Sequence, residues 1–264
     1  MVQDSNPKGF QAILIMSTLL FLLGLTVLIS IIHSKKTIVV PDDVMTIQGA
    51  VHVANHGDTI LVKAEGGPYE ENIEVNNKNI RLVGIGKEKV ILSGSMIGGK
   101  GIVMNTSSMV LKNFNIQSFS TGIELNSGKD NIIIHNAMNN EESDIIFINS
   151  SDNIIKNNRT ERANVSIILL ESNDNIIHQN TLNTHTQVGM FIDESDSNLV
   201  IKNKLNDIGE IGLVLNFDTS DNKIIANTII GSGIFDIADF GVNNIFNNNK
   251  CNLSNPPGLC NETK

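Results

Sequence analysis

The sequence predicts an all-β fold, a single-stranded right-handed parallel β-helix, and three observations carry that prediction. First, an Asn pair five residues apart recurs as Asn131…Asn136, Asn153…Asn158, Asn175…Asn180, Asn198…Asn203, Asn222…Asn227 and Asn243…Asn248. The first Asn of successive pairs stands at 131, 153, 175, 198, 222 and 243, so the period is 22, 22, 23, 24 and 21 residues, in the range of a solenoid. Second, the columns within the unit are uniform: two places on lie Ile133, Ile155, Ile177, Val200 and Ile224, and seven places on lie Met138, Thr160, Leu182, Leu205 and Ile229. Positions between them vary freely, as outward strand residues do. Third, a second apolar run follows in each unit, for example Ile146–Ile148 and Ile168–Leu170. Each coil therefore holds two or three short strands joined by polar corners. The L-x-x-L-x-L pattern of a leucine-rich repeat is absent. Asn suits the corners because it tolerates the left-handed conformation. Its amide also both donates and accepts, so stacked copies can bond into ladders.

From the N-terminus, residues 1–11 are short and polar. Ala12–Ile32 is uncharged throughout, long enough to cross a bilayer. It exceeds the usual apolar run of a signal peptide and no A-x-A-like site follows, so it reads as an uncleaved transmembrane anchor. Lys8 on one side against His33, Lys35 and Lys36 on the other would put the solenoid in the cytoplasm. Cys251 and Cys260 argue for the outside: they enclose eight residues, and a disulfide there would clip the tail in an oxidising compartment. Sequons such as Asn105-Thr-Ser and Asn164-Val-Ser permit glycosylation outside.

Residues 33–45 form a linker and first strand, and 46–249 the β-helix. Ile47, Ala50, Val51 and Ala54 have helical spacing. Thr46 can cap the start of this helix, over 46–56, and Gly57 its end. A solenoid needs its first coil covered, and this helix is read as that cover. Asp58–Val62, Tyr69–Ile73, Ile80–Gly84 and Val90–Gly94 supply the first coils. Residues 250–264 form the clipped tail.

The run Pro41…Thr46-Ile-Gln, Ala50, Ala54, Gly57-Asp-Thr-Ile60…Val62, Gly67-Pro-Tyr-Glu-Glu-Asn-Ile73, Leu82…Gly84…Gly86, Ile91…Gly94 resembles the entry segment of pectate-lyase-like β-helix proteins. The Asn repeats after it resemble NosD-type periplasmic β-helix proteins. The resemblance spans about 40–250. It implies the fold; its superfamily includes lyases, hydrolases, esterases and proteins without known chemistry. The copper delivery tied to the NosD name is carried by no residue of this chain.

Composition narrows function. The net charge of −9 with no basic block excludes nucleic acid as a partner. Aligning the second run on Leu125, Ile148, Leu170, Ile192, Leu215 and Ala238 as inward residues predicts an outward stripe of Phe147, Leu169, Phe191, Val214 and Ile237, with Phe235 beside it. Such a stripe can be covered by the chain's own tail, dock a partner or second copy, or line a ligand groove. Glu171, Asp193 and Asp239 edge it. Glu171 and Asp193, on adjacent coils, would lie about 5 Å apart, near the spacing of a retaining glycosidase; polar residues ending a strand are the simpler reading. Asp193, Glu194, Asp196, Asp218 and Asp221 could hold Ca²⁺, though solvated turns explain them as well. A polyuronate lyase needs positive charge near its substrate, and the arginines are Arg81, Arg159 and Arg162. His135 and His178 lie two coils apart and cannot share one metal. No Ser-His-Asp set, P-loop or dinucleotide fingerprint is present.

The expectation is a membrane-anchored, extracytoplasmic binding or assembly module for a polysaccharide or protein partner, without cofactor unless Ca²⁺ binds. The alternative is a polysaccharide hydrolase or lyase using Glu171, Asp193 and Asp239.

Overall fold

The computed structural model describes residues 35–261. The predicted anchor at 12–32 lies outside them; among the described residues no helix is long and apolar enough to cross a membrane. Residues 37–261 wind into a right-handed parallel β-helix of about ten coils with three sheets. The first sheet runs from Thr37–Val40 to Ile245–Asn247, the second from Val90–Ser93 to Thr228–Ile230, and the third from Ile73–Asn76 to Ser254–Asn255. One coil illustrates the rest: Ile132–Ile134 in the first sheet, Ala137–Asn139 in the second and Ser143–Ile148 in the third. Neighbours in a sheet come from successive coils and pair in parallel, Ile133 with Ile155 and Ile155 with Ile177.

The interior is filled by stacked columns. Leu111, Ile133, Ile155, Ile177, Val200 and Ile224 line the first sheet. Ile116, Met138, Thr160, Leu182, Leu205 and Ile229 line the second. All are buried. β-branched and straight aliphatic side chains repeat because each must fit the one below it across a strand spacing of about 4.8 Å.

Two asparagine ladders hold the corners. Asn131, Asn153, Asn175, Asn198, Asn222 and Asn244 form one, each Nδ2 donating to the next Oδ1 at 3.0–3.2 Å. Asn136, Asn158, Asn180, Asn203, Asn227 and Asn249 form the other at the same distances. Each Oδ1 also accepts a backbone N–H from the coil below, that of Met109 or Phe114 at the first rungs and of the preceding Asn thereafter, as Asn180 does from Asn158 at 2.9 Å. Every ladder Nδ2 but that of Asn244, which donates to Asp239 Oδ1, reaches a backbone carbonyl too, as Asn180 reaches Ile155 at 2.9 Å. Four hydrogen bonds per amide at the interior rungs, as at Asn180, offset the cost of burying it.

This arrangement corrects two expectations. The last rungs are Asn244 and Asn249, not Asn243 and Asn248. The ladder Asn is also not the left-handed residue; the residue before it is. Asp130, Asp152, Asp174, Ser197, Asp221 and Asn243 have φ of 57–58° at one corner, and His135, Asn157, Gln179, Lys202, Ala226 and Asn248 have φ of 53–58° at the other. In the runs Asn243-Asn244 and Asn247-Asn248-Asn249, either role could fall on either neighbour by sequence. A line of hydroxyls, unforeseen, completes the corner between the third and first sheets: Gly128, Ser150 and Ser172 donate backbone N–H groups to Ser150, Ser172 and Ser195 Oγ at 2.9–3.1 Å.

Both ends are closed. The helix Ile47–Val53 buries Ile47, Ala50 and Val51 against the first coil. Thr46 Oγ1 accepts from Gly49 N–H at 3.0 Å, and Glu71 accepts from Ile47 and Gln48 N–H at 3.0 and 2.9 Å. The helix stops at Ala54 rather than at Gly57. At the far end Ser254–Asn255 extends the third sheet on Phe235–Asp239, and Cys251 and Cys260 are disulfide-bonded.

Replacing Asn180 with Ala strands Asn158 N–H and Ile155 C=O in the interior. We expect a loss of about 3 kcal/mol or more, from two or more orphaned groups at roughly 1–3 kcal/mol each. Gln179→Ala, beside it but exposed, should cost about 0.5 kcal/mol or less, because Gln and Ala carry the same Cβ in the left-handed backbone, which Ala226 also adopts. Urea denaturation of both variants checks the order; equal losses would refute the ladder's role.

Candidate functional site

The outward face of the third sheet is the surface on which chemistry or binding can be built, because the other side of every strand is core. Register sets what it displays. Leu125, Phe147, Leu169, Ile192 and Leu215 form one buried column, and Ile123, Ile145, Ile167, Met190, Leu213 and Ile237 another. Phe147, Leu169 and Ile237 therefore point inward, contrary to the predicted stripe. Between these columns the outward residues are Val103, Glu124, Ile146, Ile168, Phe191 and Val214. Phe191 is partly exposed and Val214 only 5% exposed. Phe235 starts its strand in a separate, partly exposed column with Val165, Val188 and Ile211. An apolar outward face thus exists over the central coils, made largely of other residues than predicted, including Ile146, Ile148, Ile168 and Leu170.

Glu171 and Asp193 lie on adjacent coils as expected, Glu171 N–H donating to Asp193 O at 3.2 Å, whereas Asp239 lies two coils beyond Asp193. Glu171 is exposed at a left-handed corner with φ of 48°. Asp193 lies on the sheet, paired with Leu170, and its Oδ1 accepts from Asn216 Nδ2 at 2.9 Å. Asp239 Oδ1 accepts from Gly241 N–H at 3.1 Å and from Asn244 Nδ2 at 2.9 Å, terminating the first ladder. The carboxylate of Asp196, a candidate for Ca²⁺, is bonded to Ser220 N–H and Oγ at 2.6 and 2.9 Å.

Polar groups gather instead on the N-terminal coils of the same face, which sequence reasoning missed apart from Glu124. A cleft of about 580 Å³ is lined by His52, Asn72, Glu74, Lys100 and Val103. A second, of about 670 Å³, lies at the corner toward the first sheet and includes Asn77, Asn79, Asn105, Ser107 and Asn126. A row of hydrogen bonds crosses the coils here. Lys100 Nζ stands 2.6 Å from Glu124 Oε2. Asn126 Nδ2 donates to Glu124 Oε1 and to Asn105 Oδ1, both at 3.0 Å. Asn105 Nδ2 donates to Asn76 Oδ1 at 2.8 Å, and Asn76 Nδ2 to Glu74 Oε1 at 3.0 Å. The signal was hidden because the loop Gly94–Gly99 interrupts the repeat before Lys100. Glu74 pairs with Val103 and Val103 with Glu124, so the two carboxylates are two coils or about 10 Å apart. That is at or beyond the range in which two acids act on one glycosidic bond.

A second polar cluster lies inside the coils. Thr160 Oγ1 is 2.6 Å from Ser166 Oγ and 3.2 Å from His185 Nε2. His185 Nδ1 faces Ala163 O at 3.3 Å and Asp144 Oδ2 at 4.0 Å. Asn140 Nδ2 donates to Asp144 Oδ1 at 2.9 Å, while Asp144 Oδ2 has no partner. Gly122 makes room for this: a Cβ there would fall 2.5 Å from Asn140 Nδ2. Asp144, Thr160, Ser166 and His185 are at most 1% exposed, so no substrate reaches them. Burial drives Asp144 up to about 8 and His185 down to about 4. Around neutral pH the two face each other uncharged, not as an ion pair.

Fold, disulfide and face together define an extracytoplasmic right-handed parallel β-helix of the pectate-lyase-like kind. The family described as "Periplasmic copper-binding protein (NosD)" matches residues 46–256, and the chain belongs to that family. Pectinesterase 2 of Citrus sinensis is 34% identical over 104 residues, which cover 37% of this chain and 20% of that protein; the match spans about a fifth of that relative's length. Among solved structures, an alginate lyase from Paenibacillus sp. str. FPU-7 superposes with a TM-score of 0.59 at 14% identity, over 86% of this chain and 99% of that one. The periplasmic alginate epimerase AlgG superposes with a TM-score of 0.60 at 13% identity, over 82% of this chain and 55% of that one. These likenesses show the fold.

The family description names copper, and copper makes definite demands on its donors. Soft sites use thiolate and thioether sulfur. In this chain both cysteines are in the disulfide, and of the described methionines Met104, Met109, Met138 and Met190 are buried in the core while Met45 and Met96 are exposed. Among the described residues no three of His, Cys, Asp and Glu gather around a metal position. The described residues do not fit a resident copper.

The buried pair makes a pH prediction. Asp144 titrates at 3.8 when unfolded and about 8 when folded, so its contribution is lost as pH rises across that window. His185 goes from 6.5 to about 4 on folding, so its contribution is gained as pH rises between those values. The two oppose each other below 6.5 and only Asp144 acts above it. Melting temperature should fall from pH 6.5 to 8. In Asp144→Asn that fall should vanish, and stability should rise from pH 4 to 6.5 instead.

Proposed function

We propose that this chain is a glycan-binding module, held at the extracytoplasmic side of a membrane by residues 12–32, that receives a polysaccharide along its third sheet without cleaving it. The observation that carries the reading is the hydrogen-bonded row from Glu74 through Asn76, Asn105 and Asn126 to Glu124 and Lys100. It runs beside two open clefts. Amides repeat along it once per coil, and each can both donate to and accept from sugar hydroxyls. Farther along, Ile146, Ile168 and Phe191 present apolar surface for the C–H faces of sugar rings. Two similar structures belong to an alginate lyase and an alginate epimerase, which supports a polymer as ligand. Asp193 and Asp239 are engaged by Asn216, Gly241 and Asn244, which supports binding over cleavage.

Affinity electrophoresis of the full chain against a panel of polysaccharides tests the proposal. Retardation is expected, weakened about tenfold when Ile146 and Ile168 are both replaced by Ser, as for loss of roughly 1.4 kcal/mol of contact. No shorter products are expected from the wild type. Product release that disappears in Glu171→Gln or Asp193→Asn would replace this reading with the hydrolase or lyase.

A further inference from the structure

We infer that the ligand of this face is an uncharged glycan, and that Glu124 enforces this by occupying Lys100. The inference rests on the glycan-binding reading above and narrows its ligand class.

A polyuronate carries a carboxylate on every sugar and needs cations that are free to meet it. The corner cleft has none: Asn77, Asn79, Asn105, Ser107 and Asn126 are neutral, and His56 Nδ1 is bonded to Asn79 Oδ1 at 3.1 Å. The cleft over the sheet has one cation, Lys100, and one carboxylate, Glu74. Lys100 is held at 2.6 Å by Glu124, whose side chain is only 10% exposed. Nearby Lys78 turns its Nζ to the carbonyls of Val51 and His52 at 2.8 and 2.9 Å. An incoming carboxylate would have to take Lys100 from Glu124, leaving a largely buried charge without its partner, which is strongly unfavourable. The chain's net charge of −9 adds long-range repulsion of a polyanion. Neutral hydroxyls meet neither obstacle.

Glu124 is then a specificity residue, and its conservative replacement should change which polymer binds. In Glu124→Gln the amide oxygen can still accept from Asn126, so the row is kept, while Lys100 loses its counter-charge. The full chain is run by affinity electrophoresis through galactomannan and laminarin, as neutral probes, and through alginate and polygalacturonate, with a chelator present so that Ca²⁺ cannot bridge carboxylates. We expect the wild type to be retarded by a neutral polymer and not by the uronates. That retardation should change little between about 0.05 and 0.5 M salt. Glu124→Gln should gain at least about tenfold in uronate affinity at low salt and lose the gain at high salt, as a newly freed cation would. Adding Lys100→Met to Glu124→Gln should abolish the gain. A wild type that binds uronates more tightly than neutral polymers overturns the inference while leaving the binding reading in place. Retardation by neither class overturns the binding reading itself. A Glu124→Gln protein that folds, by its melting transition, yet gains nothing for uronates shows that Glu124 does not select the ligand.

Discussion

Everything in this fold depends on one repeated arrangement, the buried amide that bonds to its own copy one coil away. A corner between parallel strands turns backbone N–H and C=O groups into the interior, where each would otherwise be orphaned. The Asn side chain answers both, and its remaining donor and acceptor are met by the next Asn. The solution works only if the next coil has Asn at the same place. That requirement, not the apolar columns alone, holds the coils in register. It also divides the labour at each corner: one residue takes the left-handed backbone and the next supplies the amide.

Because corners and interior settle the stacking, the outward side of the third sheet is released from structural duty. It can change character along the axis. Over the N-terminal coils it carries amides, two glutamates and a lysine, and over the central coils aliphatic side chains and Phe191. The interior has its own exception, where Asp144 and His185 stand close and uncharged. A polar pair enclosed in this way ties the stability of the solenoid to proton concentration without offering any group to a substrate. It has the residue types of a charge relay and none of the access.

The stacked architecture was legible before any coordinates, down to the columns headed by Ile133 and Met138. The direction of the third-sheet side chains was not. Strand side chains alternate, so an error of one residue exchanges inside for outside. Usually polar residues reveal the outer face. In this sheet Ile146, Ile148, Ile168 and Leu170 on the outside are as apolar as Phe147 and Leu169 within, so the pattern could be read either way. At Asn243-Asn244 the ambiguity is of the same kind, since neighbouring identical residues can exchange ladder and corner roles on paper. Glu74 and Lys100 come to one cleft across a coil that the loop at Gly94–Gly99 lengthens, Ile73 pairing with Ile102, and counting residues at a fixed period cannot cross such a loop.

The sequence by itself determined the period, the parallel β-helix, the capping helix and the amide ladders, because each is a repeated local demand written once per coil. Only the tertiary structure decided which side of the third sheet faces water, that Asp239 lies two coils beyond Asp193, and that Lys100 meets Glu124. Those facts depend on register between coils, and register is set by hydrogen bonds between residues about 22 positions apart rather than by any residue's own preference.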